Sequence, residues 1–417
     1  MAKTQLDLRL IPGSFSTQAD LSQVERNIDD DVAEFKEVRH NSIGYPRCSI
    51  SIPWVEKQLA KVLPFGVHNV GDWRTGSQFQ PNAFHVEVEL MKFLVQLWEC
   101  PGGLENFWGY VDDSGTSGNL WGVKVGTEVL AKRCPKLGSP VLVISEAAHY
   151  SFDNAVGFTK IQCEKVQTKS DDTINIAAFK EVIAKYPDRP ILIGIMNGTT
   201  VKEARDDITA IFDAVKATGR PREHFYIHAD AAYSGLYVPL LKKAPDNIKI
   251  SFTKHDLDSV STSTHKFIGT ARTGGMYMTH LKHSEVAATT VEYIRASSKT
   301  MGGSRDAFPM YETLLRLYYV GMDRMTEWAE AIVQKAMEVK EDMKEAGVQN
   351  VELHDFATTV YFKQPSEALM KKHCLAPHGE NCHLIVEPHT LNELGEFEVY
   401  GSVDSFMEDF LKELRAA

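Results

Sequence analysis

Lys266 has the setting of a reactive lysine. It closes the stretch Ser261-Thr262-Ser263-Thr264-His265-Lys266, so small hydroxyl residues run up to it, and the apolar Phe267-Ile268 follows. The run 259–262 reads as a strand, which puts Lys266 just past a sheet edge, where ligands bind in α/β folds. A lysine is ordinarily a solvated surface charge. Shielded by apolar and hydroxyl neighbours, it can lose its proton and form a Schiff base with an aldehyde cofactor. A second feature, His228-Ala229-Asp230-Ala231-Ala232, closes another strand candidate at 225–229. An acid between small residues at a strand end can approach a flat ring closely, although Asp is also a common helix N-cap.

A carboxylate beside a Schiff-base lysine is the pair that pyridoxal phosphate requires, because it keeps the pyridine nitrogen protonated and the ring electron-poor. An anion cradle is also present. Gly109-Tyr110-Val111-Asp112-Asp113-Ser114-Gly115-Thr116-Ser117-Gly118-Asn119 leads into a helical run from Leu120. Backbone N–H groups at such a helix start, with Ser114, Gly115, Thr116 and Ser117, suit a phosphate. The loop is neither a Walker loop nor a dinucleotide fingerprint. His149, in Ser145-Glu146-Ala147-Ala148-His149-Tyr150-Ser151, stands just past a strand where its ring can stack on a planar cofactor, unless it is an idle loop histidine. Thr199, in Asn197-Gly198-Thr199-Thr200, and the small Ala232 complete the same pocket. Cys374, His378, Cys382, His383 and His389 offer a competing zinc reading, but their spacing fits none of the paired zinc patterns and no metal is expected.

These residues need a scaffold that brings several strand ends together. Short apolar runs at 141–145, 191–196, 225–229, 259–262 and 275–278 alternate with helical patterns. The segment 207–218 puts Ile208, Ile211, Phe212 and Val215 on one helical face before Gly219. Such alternation predicts an α/β fold with a mostly parallel sheet. The texture changes at 311–346, a long charged helical stretch, followed by strand candidates at 358–362 and 383–386 and a last helix through Phe410-Leu411. The expected division is an N-terminal segment 1–65 with one polar helix, a large domain 66–310 and a small C-terminal domain 311–417. The 417 residues carry a net charge of −11, which disfavours nucleic acid or anionic membrane as partner. Apolar runs fall far short of a membrane span, and the N-terminus lacks the apolar core of a secretory signal. Six cysteines in so long a chain, Cys48 among them, make no disulfide framework. A cytoplasmic enzyme is the expectation.

The order of cradle, stacking His, Asp and His-Lys resembles fold-type I pyridoxal-phosphate enzymes. More closely, the chain resembles the group II amino-acid decarboxylases, in particular bacterial histidine decarboxylases and plant serine decarboxylases. Gly71-Asp72-Trp73, His149-Tyr150-Ser151, Gly198-Thr199-Thr200-Val201, Asp206-Asp207, His265-Lys266, Gly303-Ser304-Arg305 and Cys382-His383-Leu384-Ile385 carry that resemblance. It implies a seven-stranded-type, mostly parallel sheet with a smaller α+β C-terminal domain, and pyridoxal 5'-phosphate as cofactor. It implies Lys266 as the Schiff-base lysine, Asp230 as the pyridine-nitrogen partner and His149 as the stacking ring. Ser114, Gly115, Thr116 and Ser117, with Ser263 and His265, would surround the phosphate. Tyr293, in Val291-Glu292-Tyr293-Ile294, matches a mobile-loop tyrosine that protonates the intermediate, and the active sites would lie between the subunits of a homodimer. The substrate would be an amino acid, histidine first, with serine or an apolar residue as alternatives and an oxidative or aldol-cleaving variant as the rival. The chain departs from the family at Ser117, at Thr264 and at Asp306-Ala307-Phe308, where Asn-Gly-His is usual, a segment expected near the pocket.

Overall fold

The computed structural model describes residues 18–46, 50–390 and 402–416; Cys48 lies outside them. Seven strands form one mixed sheet: β1 (Phe107–Asp112), β2 (Val141–Ser145), β3 (Gln162–Val166), β4 (Ile191–Met196), β5 (Phe225–Asp230), β6 (Ser259–Ser263) and β7 (Gly275–His280). Their order is β1-β7-β6-β5-β4-β2-β3. The pairs β3/β2, β2/β4, β4/β5 and β5/β6 are parallel, while β7 runs antiparallel to both β6 and β1. Every residue of β2, β4, β5 and β6 is buried, as a parallel sheet covered on both faces demands. The parallel strands therefore end on one rim, and Ser145, Met196, Asp230 and Ser263 all reach it.

One helix fixes the site's geometry. Gly115–Arg133 lies directly on the sheet because Gly115, Gly118, Gly122 and Gly126 share the face that touches it. A Cβ on Gly118 would lie 2.6 Å from Ser261 Cβ, and one on Gly122 would lie 2.5 Å from the His228 ring. Any side chain there would lift the helix off the sheet and carry its N-terminus away from the rim. Asp207 caps the helix Ile208–Ala217 by accepting from Ala210 N–H, which is the amphipathic element the spacing anticipates.

The long helical stretch at 311–346 proves to be two helices, Phe308–Val320 and Met322–Glu345, broken at Gly321 with φ +78°. Among the described residues before 65 there are two α-helices, Gln18–Asn41 and Pro53–Val62, where one polar helix was expected. Toward the C-terminus, Thr359–Lys363, Asn381–Ile385 and Ala376–His378 form a separate three-stranded antiparallel sheet. Val403–Ala416 packs Phe406 and Phe410 on Phe362 of that sheet. Among the described residues no helix is long and apolar enough to cross a membrane.

Candidate active site

The rim collects most of the residues that chemistry singles out. Ser114 caps the helix Gly115–Arg133 by accepting from Ser117 N–H. Gly115 N–H donates to Ser263 Oγ (3.2 Å), and the missing Gly115 Cβ would also meet Ala232. The helix start with Gly115, Thr116 and Ser117 is thus set against the end of β6. His265 Nδ1 and the Gly274 backbone bond each other across the loop from β6 to β7. The result is a set of N–H and O–H donors at a helix N-terminus, a fitting cradle for a phosphate.

Asp230 closes β5 in a hydrogen-bond net whose centre is Asn119. Asn119 Nδ2 donates to Asp230 Oδ2 (2.7 Å) and to Ser151 Oγ (2.9 Å). Its Oδ1 accepts from Ser261 Oγ and lies 3.0 Å from His228 Nε2. Burial pushes the His228 pKa down to about 3, so this ring is neutral. It then donates from Nε2 to Asn119 and accepts from Ser259 Oγ at Nδ1 (2.8 Å). Asp230 Oδ1 receives the N–H of Ala232 at 3.0 Å. Sequence reasoning passed over Asn119 as a site residue. The available signal was its position one helical turn past Gly115, on the glycine face.

Lys266 and His149 share the field of Asp230. Burial holds the Lys266 ammonium below the usual lysine range, opposed by Asp230, Glu387 and Glu203. Burial also lowers the His149 imidazole, with Asp230 opposing and Lys266 adding to the shift. His149 Nδ1 accepts from Ser151 N–H (3.2 Å), which turns the ring. His149 and Thr199 line an open cleft of about 460 Å³ with Glu146, Asp172 and His378. Thr199 is held there through its N–H and Oγ1, both bonded to Ala204.

Tyr293 is not gathered into this group. It lies 74% exposed on a hairpin of Thr289–Val291 and Ala296–Ser298, edge-on to Phe79. Of the proposed zinc ligands, Cys382 and His383 are buried in the C-terminal sheet, and no group of three or more His, Cys, Asp or Glu suited to a metal occurs among the described residues.

A rim lysine with depressed basicity, a carboxylate at the end of the neighbouring strand, a histidine able to stack and a helix-start cradle fit pyridoxal phosphate in each of its parts. Together with the seven-stranded sheet they define a fold-type I pyridoxal-phosphate enzyme. The model of the pyridoxal-dependent decarboxylase conserved domain matches residues 70–346. The chain is 31% identical over 374 residues to a histidine decarboxylase of Morganella morganii, covering 88% of this chain and 92% of that one. It is also 31% identical over 360 residues to serine decarboxylase 1 of Oryza sativa subsp. japonica, covering 85% and 70%. The solved L-methionine decarboxylase of Streptomyces sp. 590 superposes with a TM-score of 0.82 at 21% identity, over 99% of this chain and 98% of the other, a likeness of fold. The chain belongs to the pyridoxal-dependent decarboxylases and is a pyridoxal-phosphate-dependent amino-acid carboxy-lyase.

Proposed function

We propose that the chain removes the α-carboxylate of an L-amino acid with a histidine-type side chain, with Lys266, Asp230 and His149 as the working residues. The observation that carries this is the convergence of Asp230, Lys266 and His149 at one rim, with Asn119 orienting the Asp230 carboxylate. When bound, pyridoxal phosphate supplies an electron-poor ring that takes up the electron pair left by departing carbon dioxide. Lys266 would hold the cofactor covalently, a task eased by the burial that favours its uncharged form. Asp230 keeps a proton on the ring nitrogen. His149 would stack on the ring, with the small Ala232 leaving room beside it. Ser114, Gly115, Thr116, Ser117, Ser263 and His265 would hold the phosphate end, with Thr199 and Ala232 lining the same pocket.

Tyr293 returns a proton to Cα, and in this reading it does so for the neighbouring subunit of a homodimer. Two features support the dimer. Tyr293 lies exposed on a hairpin within its own chain. The helix Gln18–Asn41 also leaves Leu21, Ile28 and Phe35 at 48%, 54% and 62% exposure along one stripe, a face that calls for a partner. The division at 65 and 310 belongs to the same proposal, since the C-terminal sheet shares no strand with the large one. So does a cytoplasmic location, supported by five free cysteines among the described residues.

A screen of the twenty amino acids against the cofactor-loaded protein, reading carbon dioxide and amine, tests the proposal. Stoichiometric amine and carbon dioxide from a histidine-type substrate, abolished in Lys266→Ala, is the expected result. Carbon dioxide from none of them, or aldehyde and hydrogen peroxide in place of amine, overturns it.

A further inference from the structure

Two buried ion clamps join parts of the chain far apart in sequence. Glu203 takes Arg205 and Tyr237 on Oε1, and the N–H and Oγ1 of Thr358 and of Thr359 on Oε2. It ties the loop after β4 to the C-terminal sheet. Lys299 is the other, 2% exposed, and what it holds is the hairpin that carries Tyr293. Its Nζ lies 2.8 Å from Asp72 Oδ2 and 2.6 Å from Glu285 Oε1. Glu285 stands just before the hairpin strand Thr289–Val291, and Lys299 directly follows the returning strand Ala296–Ser298. One ammonium thus fastens the two feet of the hairpin to each other and to Asp72. Asp72 is anchored in turn on the large sheet. Its Oδ1 accepts from the Trp108 indole N–H of β1 (2.9 Å), and the neighbouring Trp73 indole N–H donates to Gly109 O (2.8 Å). The same strand runs on to the cradle at 114–117.

Few apolar contacts hold that hairpin. Two short strands by themselves are marginal in water, and of residues 289–298 only Ile294 and Ala296 are buried. Ala296 packs on Gly71, where φ is +99° and a Cβ would stand 3.3 Å from Ala296 Cβ. Gln78 N–H donates to Ile294 O (3.1 Å). At the tip Tyr293 meets Phe79 edge-on, ring centroids 6.2 Å apart. Burial opposes the Lys299 charge, yet Asp72 and Glu285 hold the ammonium above the usual lysine range, so it stays ionised. An apolar side chain would fill the space without the cost of burying a charge, but it would leave both feet of the hairpin untied.

We infer that Lys299 is a positioning residue for Tyr293: its two ion pairs hold the hairpin against the turn at 71–76, so that the Tyr293 hydroxyl stands where it can return the proton to Cα. This rests on the reading of Tyr293 as the proton donor and adds the group that aims it. With the hairpin released, carbon dioxide still leaves, because the cofactor ring and not Tyr293 takes up the electron pair. The proton then goes to the cofactor's aldehyde carbon instead of Cα. The substrate nitrogen stays on the cofactor, which is reduced to pyridoxamine phosphate, and water releases the oxidised substrate carbon as an aldehyde. The two changes balance, and no outside oxidant enters.

The test compares wild type with Lys299→Met, Glu285→Gln, Tyr293→Phe and the double variant Lys299→Met with Tyr293→Phe, all loaded with cofactor. The Glu285 side chain is 55% exposed, so Glu285→Gln loosens one foot without stranding a buried charge, and it carries the test if Lys299→Met fails to fold. Hydrogen exchange, read by mass spectrometry over 289–298 and at Gln78, follows the docking of the hairpin without turnover. It should quicken at least about tenfold in Lys299→Met, the scale of a lost bond to a charged group, and less in Glu285→Gln. The ratio of amine to carbon dioxide should fall several-fold in Lys299→Met, with pyridoxamine phosphate rising to match and carbon dioxide release within about twofold of wild type. Glu285→Gln should shift the ratio the same way by less. Adding Lys299→Met to Tyr293→Phe should change the ratio no further, because a ring that cannot donate gains nothing from being aimed. Amine and carbon dioxide falling together in Lys299→Met and Glu285→Gln, at an unchanged ratio, makes Lys299 a brace of the fold and overturns the assignment. A shifted ratio in Tyr293→Phe with none in those two variants removes the positioning role and keeps the donor. An unshifted ratio in Tyr293→Phe removes both.

Discussion

Asn119→Ala tests whether the net around Asp230 matters for turnover. Asn119 uses its full capacity: two donated bonds, to Asp230 and Ser151, and two accepted, from His228 and Ser261. Truncation removes the 2.7 Å bond to Asp230 Oδ2, leaving the Ala232 N–H on Oδ1 as its other backbone anchor. A bond to a charged acceptor is worth about 1.5–3 kcal/mol. If that energy holds Asp230 against the ring nitrogen, kcat should fall by about 10- to 100-fold with little change in KM. The neutral His228 Nε2–H is orphaned as well, so unfolding should become easier by about 1–3 kcal/mol. The two effects are measured apart, turnover well below the melting transition and stability by denaturant unfolding. A variant that melts early yet turns over within twofold of wild type would refute the reasoning, because Asp230 would then need no orienting partner.

Tyr293→Phe keeps the ring and deletes one proton, so carbon dioxide release should persist while amine formation falls several-fold; an equal fall in both shows that Tyr293 is not the donor. Glu203→Ala strands the buried Arg205 guanidinium and should cost about 3–5 kcal/mol of unfolding free energy, and an unchanged denaturation midpoint counts against its bridging role. Stability should decline on acidification below about pH 6.5. His228 and His283 at about 3 and His383 at about 4 stay neutral in the fold but bind protons once unfolded. Glu387 at about 8 and Asp206 at about 6 oppose this by keeping protons in the fold. Among these five groups three against two leaves a net of about one proton near pH 5.5, a slope of about 1.4 kcal/mol per pH unit, and His149, His224, His265, His280 and His373, also lowered by burial, act in the same direction. Unfolding free energy that rises between pH 6.5 and 5 contradicts this balance.

The central strands were legible because complete burial writes an unbroken apolar run, as in Val141–Ser145 and Ile191–Met196. The two edges were not. Phe107–Asp112 carries Gly109 and Asp112 and reads as the start of the cradle, while Gln162–Val166 is a half-exposed polar edge strand. The reversed direction of β7 was also hidden, because it follows from the short loop after Ser263 rather than from any pattern within the strand. At the site, Lys266, Asp230, His149 and the cradle announce themselves by type and by place at strand ends. Asn119 and Glu203 do not. Each looks like an ordinary helix or loop polar residue, and its weight comes from partners 100 or more positions away, such as Asp230 for Asn119 and Thr358 for Glu203.

The departures from the family pattern fall unevenly on the two sides of this site. Asp306 takes the Arg272 guanidinium at 2.5 Å, and the same guanidinium lies 4.4 Å from the centre of the Phe308 ring. Ala271 N–H donates to Glu312 at 2.7 Å. Asp306 and Phe308, together with Glu312 on the helix they lead into, therefore brace the loop 264–274, which carries His265 and Lys266. A salt bridge and a cation–ring contact on one arginine form a self-consistent local unit. Exchanging those residues changes how the lysine loop is held. Substitutions at 306–308 should therefore act on all substrates alike, read as an equal change in turnover for each amino acid accepted.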